Sequence, residues 1–371
     1  MDFDYSEEQL MLKDSIARLL AGTDEGIAGE ALWKAFADMG LLGMAFSEAE
    51  GGLGTGPIEN MIVMRAIGAG LCLAPFLPSS IYGTELLKIA APDDRKDALI
   101  PGLFDGSSQL AVAHAEEGSR YRLAYAGLTA TPDGSHFVLN GRKVLVLGGS
   151  TATHFIVSAR LSGEIDDPAG LVLFLVDRAA DGVEVIHRRT IDGRTADSVS
   201  FHSVRVPPAA LLADSDSAFH ALEHATDHAT VACINEAVGA MDELLALTVE
   251  YLKTRQQFGA AIGSFQALQH KAVDMFIEVE QAKSMALFAA MQLDRPIEER
   301  RDGIGLAKLH VNRAARMVAE SAVQLHGAIG MTMESKAGRL FNRLTACQTT
   351  FGDSDYWLSL LLESNANVLA A

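Results

Sequence analysis

Two short runs hold the residue types and spacings that could do chemistry. The first is Thr254-Arg255-Gln256-Gln257-Phe258-Gly259, followed by Ser264-Phe265-Gln266 and Gln269-His270. The second is Gln324-Leu325-His326-Gly327-Ala328-Ile329-Gly330-Met331-Thr332. An arginine can grip a diphosphate with two parallel N–H bonds. Glycine-rich backbone at a helix end lets a dinucleotide approach closely. Each run also has a plainer reading that the residues alone leave open. Arg255 near a helix C-terminus could satisfy terminal carbonyls and the helix dipole. Gln324 to Gly327 could be a helix ending in a glycine cap. The two runs together, with helical texture between them, shift the balance toward a dinucleotide cradle.

Both runs depend on long helices. The stretches Ala218–Lys253, Phe265–Leu293, Gly305–His326 and Asp353–Leu369 are rich in helix formers, and short links between them predict an antiparallel bundle. The first hundred residues also read as helical. Ser6-Glu7-Glu8-Gln9 is a capping box, and Leu12, Ile16, Leu19 and Leu20 follow at amphipathic-helix spacing. A Gly-rich turn, Glu50 to Gly54, precedes an apolar helix around Met61 to Leu73. From about Gln109 the texture becomes β. Asn140-Gly141 between apolar runs predicts a hairpin turn, and Gly170–Val176 and Ser198–Val206 predict further strands. The expected fold class is α+β in three contiguous domains: helical over 1–108, β over 109–212 and a four-helix bundle over 213–371.

Composition narrows the function classes. With 371 residues the chain is long enough for two or three packed units. A formal charge of −18 argues against nucleic acid, and any site for an anion must be locally basic. No run of about 18 apolar residues predicts a membrane span. The acidic start Met1-Asp2-Phe3-Asp4-Tyr5 lacks a signal-peptide pattern, so the expectation is a cytoplasmic protein. Cys72, Cys233 and Cys347 are far apart in sequence and predict buried, inert thiols. His220, His224 and His228 recur every four residues. The outer two lie about 12 Å apart along a helix, so all three cannot share one ion, and no metal site is expected.

The motifs, from Tyr5-Ser6-Glu7-Glu8-Gln9 through Leu41-Leu42-Gly43 and Gly51-Gly52-Leu53-Gly54 to the last helix, resemble the acyl-CoA dehydrogenase family. In particular the chain is similar to the small subunit of pimeloyl-CoA-type dehydrogenases and to paired subunits that oxidise steroid side-chain thioesters. The resemblance implies FAD at a subunit interface. It assigns Arg255, Phe258, Gln266, Gln324 and Gly327 to the ADP half of FAD, with Ala328 in place of a second glycine.

The same resemblance shows what is missing. Family chemistry removes an α-proton with a glutamate while hydride passes from the β-carbon to the flavin. The two places where the family keeps that glutamate hold Phe351 and Ala229, with Thr230 where an arginine is usual. Asp353 is the best fallback base. Glu236 lies about 10 Å along the helix from Ala229, and Asp227 points to a different face. In the β domain, Ala113-His114-Ala115-Glu116-Glu117-Gly118-Ser119-Arg120 stands where the family has Thr-Glu-Pro-x-x-Gly-Ser-Asp. Leu145-Val146-Leu147 stands where it has Trp-Ile-Thr against the flavin ring. The expectation is a non-catalytic partner subunit of a heteromeric, α2β2, FAD-dependent acyl-CoA dehydrogenase. Its partners would be a homologous Glu-bearing subunit, an acyl-CoA and an electron-transfer flavoprotein. The competing readings are a homomeric flavin dehydrogenase or oxidase using Asp353, and a flavin-free scaffold.

Overall fold

The computed structural model describes residues 5–21, 29–332 and 334–370, with the backbone alone at 298 and 365–370. Helix α1 (Glu7–Ala21) starts at the predicted capping box. Gln9 N–H donates to Ser6 Oγ at 3.2 Å, and Ser6 N–H donates to Gln9 Oε1 at 3.0 Å. Ile16 and Leu20 of its apolar stripe are buried, Leu12 and Leu19 half-buried. There follow α2 (Gly29–Asp38), α3 (Pro57–Ala69), α4 (Thr84–Ala90) and α5 (Asp93–Phe104). Phe76–Gly83 is wound as a buried π-helical run that leads straight into α4.

The middle of the chain is a sheet of β1 (Leu110–Ala113), β2 (Thr129–Asp133), β3 (His136–Leu147), β4 (His154–Arg160), β5 (Leu171–Asp177), β6 (Val183–Ile186), β7 (Ala196–Val206) and β8 (Leu211–Ala213). Its order is β6-β7-β3-β2-β4-β5-β8, with β1 parallel to β4. Phe155, Phe174 and Phe201 anchor the core beneath it.

The predicted Asn140-Gly141 hairpin does not form. Strand β3 runs straight through both residues, and the turn before it is made at Gly134, where φ is 62°. Asn140 Oδ1 instead accepts the Ser203 N–H at 2.8 Å, replacing a ladder bond where the register slips against β7. A Cβ at Gly141 would strike Leu128, so the glycine serves a bulge and not a turn.

Beyond the sheet, α6 (Ala218–Thr254) matches its predicted span to within a residue. A tight hairpin, β9 (Gln256–Gln257) and β10 (Ala260–Ala261), leads to α7 (Gln266–Gln292) and α8 (Ile297–His326). Helix α8 begins eight residues earlier than predicted, 297 against 305. A fifth helix of this region, α9 (Lys336–Thr349), was not anticipated, and α10 (Ser354–Ala370) was.

The described chain forms two compact units. One contains α1, α3 and the chain from Thr230 onward; the other contains the residues between α1 and α3 and those from Leu73 to Ala229. In the first, α3 and α6 approach through reciprocal glycines. A Cβ at Gly68 would collide with the Glu236 carbonyl, and one at Gly239 with the Arg65 carbonyl. Arg65 then bridges to Asn235 Oδ1 at 3.1 Å and to the Lys283 carbonyl at 3.3 Å. The three cysteines are buried free thiols. Among the described residues, no helix is long and apolar enough to cross a membrane.

Candidate functional site

The first motif begins where α6 ends. Arg255 N–H still bonds the Tyr251 carbonyl at 2.9 Å, but its side chain projects beyond the helix, exposed and without an ion pair among the described residues. Phe258 and Gly259 take φ values of 54° and 80°, the consecutive left-handed pair of a type I′ turn. Phe258 is 93% exposed and meets Phe265 edge-on, with centroids 6.2 Å apart. Gln266 opens α7 and is exposed, while Gln269 Nε2 ties the loop by donating to the Gly263 carbonyl at 2.8 Å.

The second motif is the end of α8. Gln324 is exposed, and Gly327 caps the helix at φ 64° with its N–H on the Val323 carbonyl. The glycine-cap reading therefore holds as local structure. A Cβ at Gly327 or Gly259 would meet nothing within 4 Å, so backbone conformation and open space, not crowding, mark these positions. Ala328 follows in a short 3₁₀ turn and is exposed.

One contact ties these motifs together. Tyr251 stacks on His326, joining the ends of α6 and α8. An open groove of about 420 Å³ joins the start of α7 to the end of α8, lined by Lys271, Arg313 and Gln324 among others. Lys271 and Arg313 make this face locally basic despite the acidic chain. Sequence reasoning missed both. Arg313 precedes Gln324 by eleven residues, three helical turns, so it shares that face and was findable.

The two positions that correspond to the family's base hold Phe351 and Ala229. Ala229 and Thr230 are buried in α6. Phe351 is half-buried at φ 58°, its carbonyl held by Trp357 Nε1 at 3.1 Å, and the Gly352 carbonyl accepts from Asn312 Nδ2 at 3.3 Å. Asp353 is an N-cap: its Oδ1 accepts the Tyr356 N–H at 2.8 Å, one turn into α10. Glu236 is buried in a two-pronged pair with Arg343, at 3.0 Å to Nε and 2.6 Å to Nη2.

The β region adds a buried polar cluster. Ala113 is buried in β1. Next to it, the Lys143 ammonium donates to the His114 carbonyl, to Glu116 Oε1 at 2.7 Å and to Ser158 Oγ at 3.0 Å. Burial lowers Lys143 to about 8 against the pull of Glu116. His114 also bonds the Arg122 backbone, so a neutral ring with its one N–H there accepts the Ser158 proton on Nδ1 at 2.9 Å. Burial, with Lys143 close by, pushes His114 down to about 3, so the imidazole is neutral. Leu145 is 66% exposed at φ 52°, on a second irregularity of β3.

Six described non-glycine residues have positive φ, and four of them, Arg120, Leu145, Phe258 and Phe351, lie in motif segments. Each left-handed side chain costs about 1–2 kcal/mol, and such strain concentrates at functional sites. Three of the four side chains depart from the family pattern.

The models of the acyl-CoA dehydrogenase N-terminal, middle and C-terminal domains match residues 6–107, 111–204 and 219–364. The acyl-CoA dehydrogenase FadE12 of Mycobacterium tuberculosis is 30% identical over 82% of this chain and 79% of its own. Among solved structures, the Tcur3481-Tcur3483 steroid ACAD superposes with a TM-score of 0.85 at 28% identity, covering 98% of this chain and 99% of that one. The ChsE4-ChsE5 complex from Mycobacterium tuberculosis superposes at 0.84 and 24% identity, covering 99% of both chains, a likeness of fold.

Proposed function

This chain belongs to the acyl-CoA dehydrogenase family, and on that premise we propose that it is the FAD-holding, base-free partner of a homologous catalytic subunit. In the proposed α2β2 assembly, Arg255, Phe258, Gln266, Gln324, Gly327 and Ala328 hold the ADP half of FAD. The companion supplies the flavin ring's surroundings and the glutamate. FAD, when bound, provides the hydride acceptor for α,β-desaturation of an acyl-CoA.

The observation that carries this reading is a contrast. Every candidate ADP contact is exposed, while Glu236 and Asp353 are committed to Arg343 and to a helix cap. The residues fit FAD: a guanidinium with no ion pair among the described residues, two amides, and positive-φ glycines with open space above them. Phe258, Phe265, Ile329 and Met331 leave apolar surface beside them, which favours a covering subunit. Leu145 cannot stack on or hydrogen-bond a flavin as Trp and Thr do. Two structural neighbours are paired chains, one a steroid ACAD, which supports a bulky acyl group as substrate. An electron-transfer flavoprotein is the proposed electron acceptor.

The test is flavin content. The chain is purified alone and after co-expression with a Glu-bearing homologue, and FAD is counted by visible absorbance. The reading expects no flavin alone and about one FAD per heterodimer. Full flavin in the lone chain, bleached by an acyl-CoA, would overturn it.

A further inference from the structure

Three side chains that the proposed function does not use converge within the compact unit that holds the sheet. His224 and His228 lie one turn apart on α6, and their rings stack with centroids 4.6 Å apart and planes 30° from parallel. Glu85, from α4, turns its carboxylate toward them. One oxygen of Glu85 and one nitrogen of each imidazole all lie within 4.8 Å of one another. We infer that Glu85, His224 and His228 form a binding site for a divalent transition-metal cation, with Zn²⁺ the best match.

The chemistry of the set supports this. Two imidazoles and one carboxylate are a known zinc ligand set that leaves a fourth position open. Imidazole nitrogen discriminates against Mg²⁺ and Ca²⁺, which take oxygen ligands. Metal–ligand bonds of about 2.0–2.2 Å would bring the three atoms to about 3–3.5 Å apart, a closure within reach of side-chain rotation.

The site is also pre-positioned. Glu85 is buried and pairs with Lys88, one turn on, at 3.2 Å. The Lys88 side chain is partly exposed and can release the carboxylate to a dication. Alongside, Tyr82 and Thr226 hold the π-helical run to α6 through a 3.2 Å hydroxyl contact. Thr226 spends its proton on the Leu222 carbonyl, so Tyr82 is the donor. Three residues on from Tyr82, Glu85 is therefore delivered to α6 by a fixed element.

The expectation of no metal rests on the spacing of the histidines and on the lack of a His-Glu-x-x-His arrangement. Its arithmetic holds for His220, which is exposed and packs on Phe219 instead. What it lacked was a ligand from another helix.

The experiment uses the full chain, tag-free and stripped with EDTA. It is titrated with ZnCl₂ by calorimetry, its retained zinc is counted after desalting, and CoCl₂ is added for the ligand-field absorbance of a nitrogen-ligated site. The proposal expects one Zn²⁺ per chain, a raised Tm, and no competition from excess MgCl₂. Glu85→Gln and His224→Gln should each weaken binding by at least about tenfold to a hundredfold, while His220→Gln leaves it unchanged. No stoichiometric uptake by the folded wild-type chain would overturn it, whatever the variants do. So would equal uptake by a His224→Gln/His228→Gln chain whose circular dichroism is native.

Discussion

The ring of Tyr251, in the last turn of α6, lies on the ring of His326, in the last turn of α8, with centroids 4.6 Å apart and planes inclined by 23°. The His326 ring is itself fixed, because a carbonyl can only accept, so Nδ1–H donates to the Ala322 oxygen at 2.9 Å. The segment that delivers Arg255 is thereby set against the one that delivers Gly327. Aromatic pairs contribute about 0.5–1.5 kcal/mol beyond their burial. Tyr251→Ala should therefore weaken FAD retention by the co-expressed assembly about two- to tenfold, with Tyr251→Phe near wild type. Fluorimetric FAD titration checks this, and equal affinity in Tyr251→Ala would dissociate the two motifs.

Asp353 decides between a cap and a base. As the N-cap of α10 it bonds the Tyr356 amide, and Asn can make the same bond. Asp353→Ala should cost about 0.5–2 kcal/mol of stability, and Asp353→Asn little. Neither change should lower the turnover of the assembled enzyme by more than its folded fraction. Loss of turnover in a fully folded Asp353→Asn variant would show instead that this carboxylate takes the substrate proton.

How much of this was legible follows from which interactions are local. The capping box at Ser6 and Gln9 closes within one turn and was read correctly. Helix α6 was bounded by composition alone, because nothing in Ala218–Thr254 breaks a helix. Asn140-Gly141 resembles a hairpin turn because Gly141 takes positive φ in a bulge as readily as in a turn. Only the approach of Leu128 and the amide of Ser203 distinguish the two. The start of α8, Ile297-Glu298-Glu299-Arg300-Arg301, is charged in sequence, yet Arg300 is buried. Helix α9 was hidden by Gly338 near its start, a glycine demanded by contact with the Thr332 carbonyl. At the site, motif spacing gave the ADP-side candidates. The pairing of Glu236 with Arg343, and of Glu85 with two histidines, spans distances in sequence that no periodicity encodes.

The Glu236–Arg343 pair is a further test of the base-free reading. Both side chains are buried, and breaking such a pair from one side typically costs about 3–5 kcal/mol, because the buried survivor keeps its charge and loses this counter-charge. Glu236→Gln should show that loss in urea unfolding. Glu236→Gln/Arg343→Met should recover part of it. If Glu236→Gln were as stable as wild type but inactive in the assembled enzyme, the carboxylate would be working on substrate.

His114 gives the chain a pH signature. Its ring is buried between Ser158 and Lys143, and burial holds it at about 3, against 6.5 when exposed. Between those values the unfolded chain binds a proton that the native chain does not. Stability from His114 is therefore complete above pH 6.5 and is lost as pH falls toward 3, at up to about 1.4 kcal/mol per pH unit. Lys143, lowered to about 8 by burial, changes charge above this window. The comparison that isolates the imidazole is His114→Asn, whose amide oxygen can take the Ser158 proton and cannot itself be protonated in this range. The variant should be less stable than wild type at pH 7, yet lose stability more slowly on acidification. Urea unfolding at pH 7, 6 and 5 should show the two curves converging. Parallel curves would mean that His114 is protonated in the native protein.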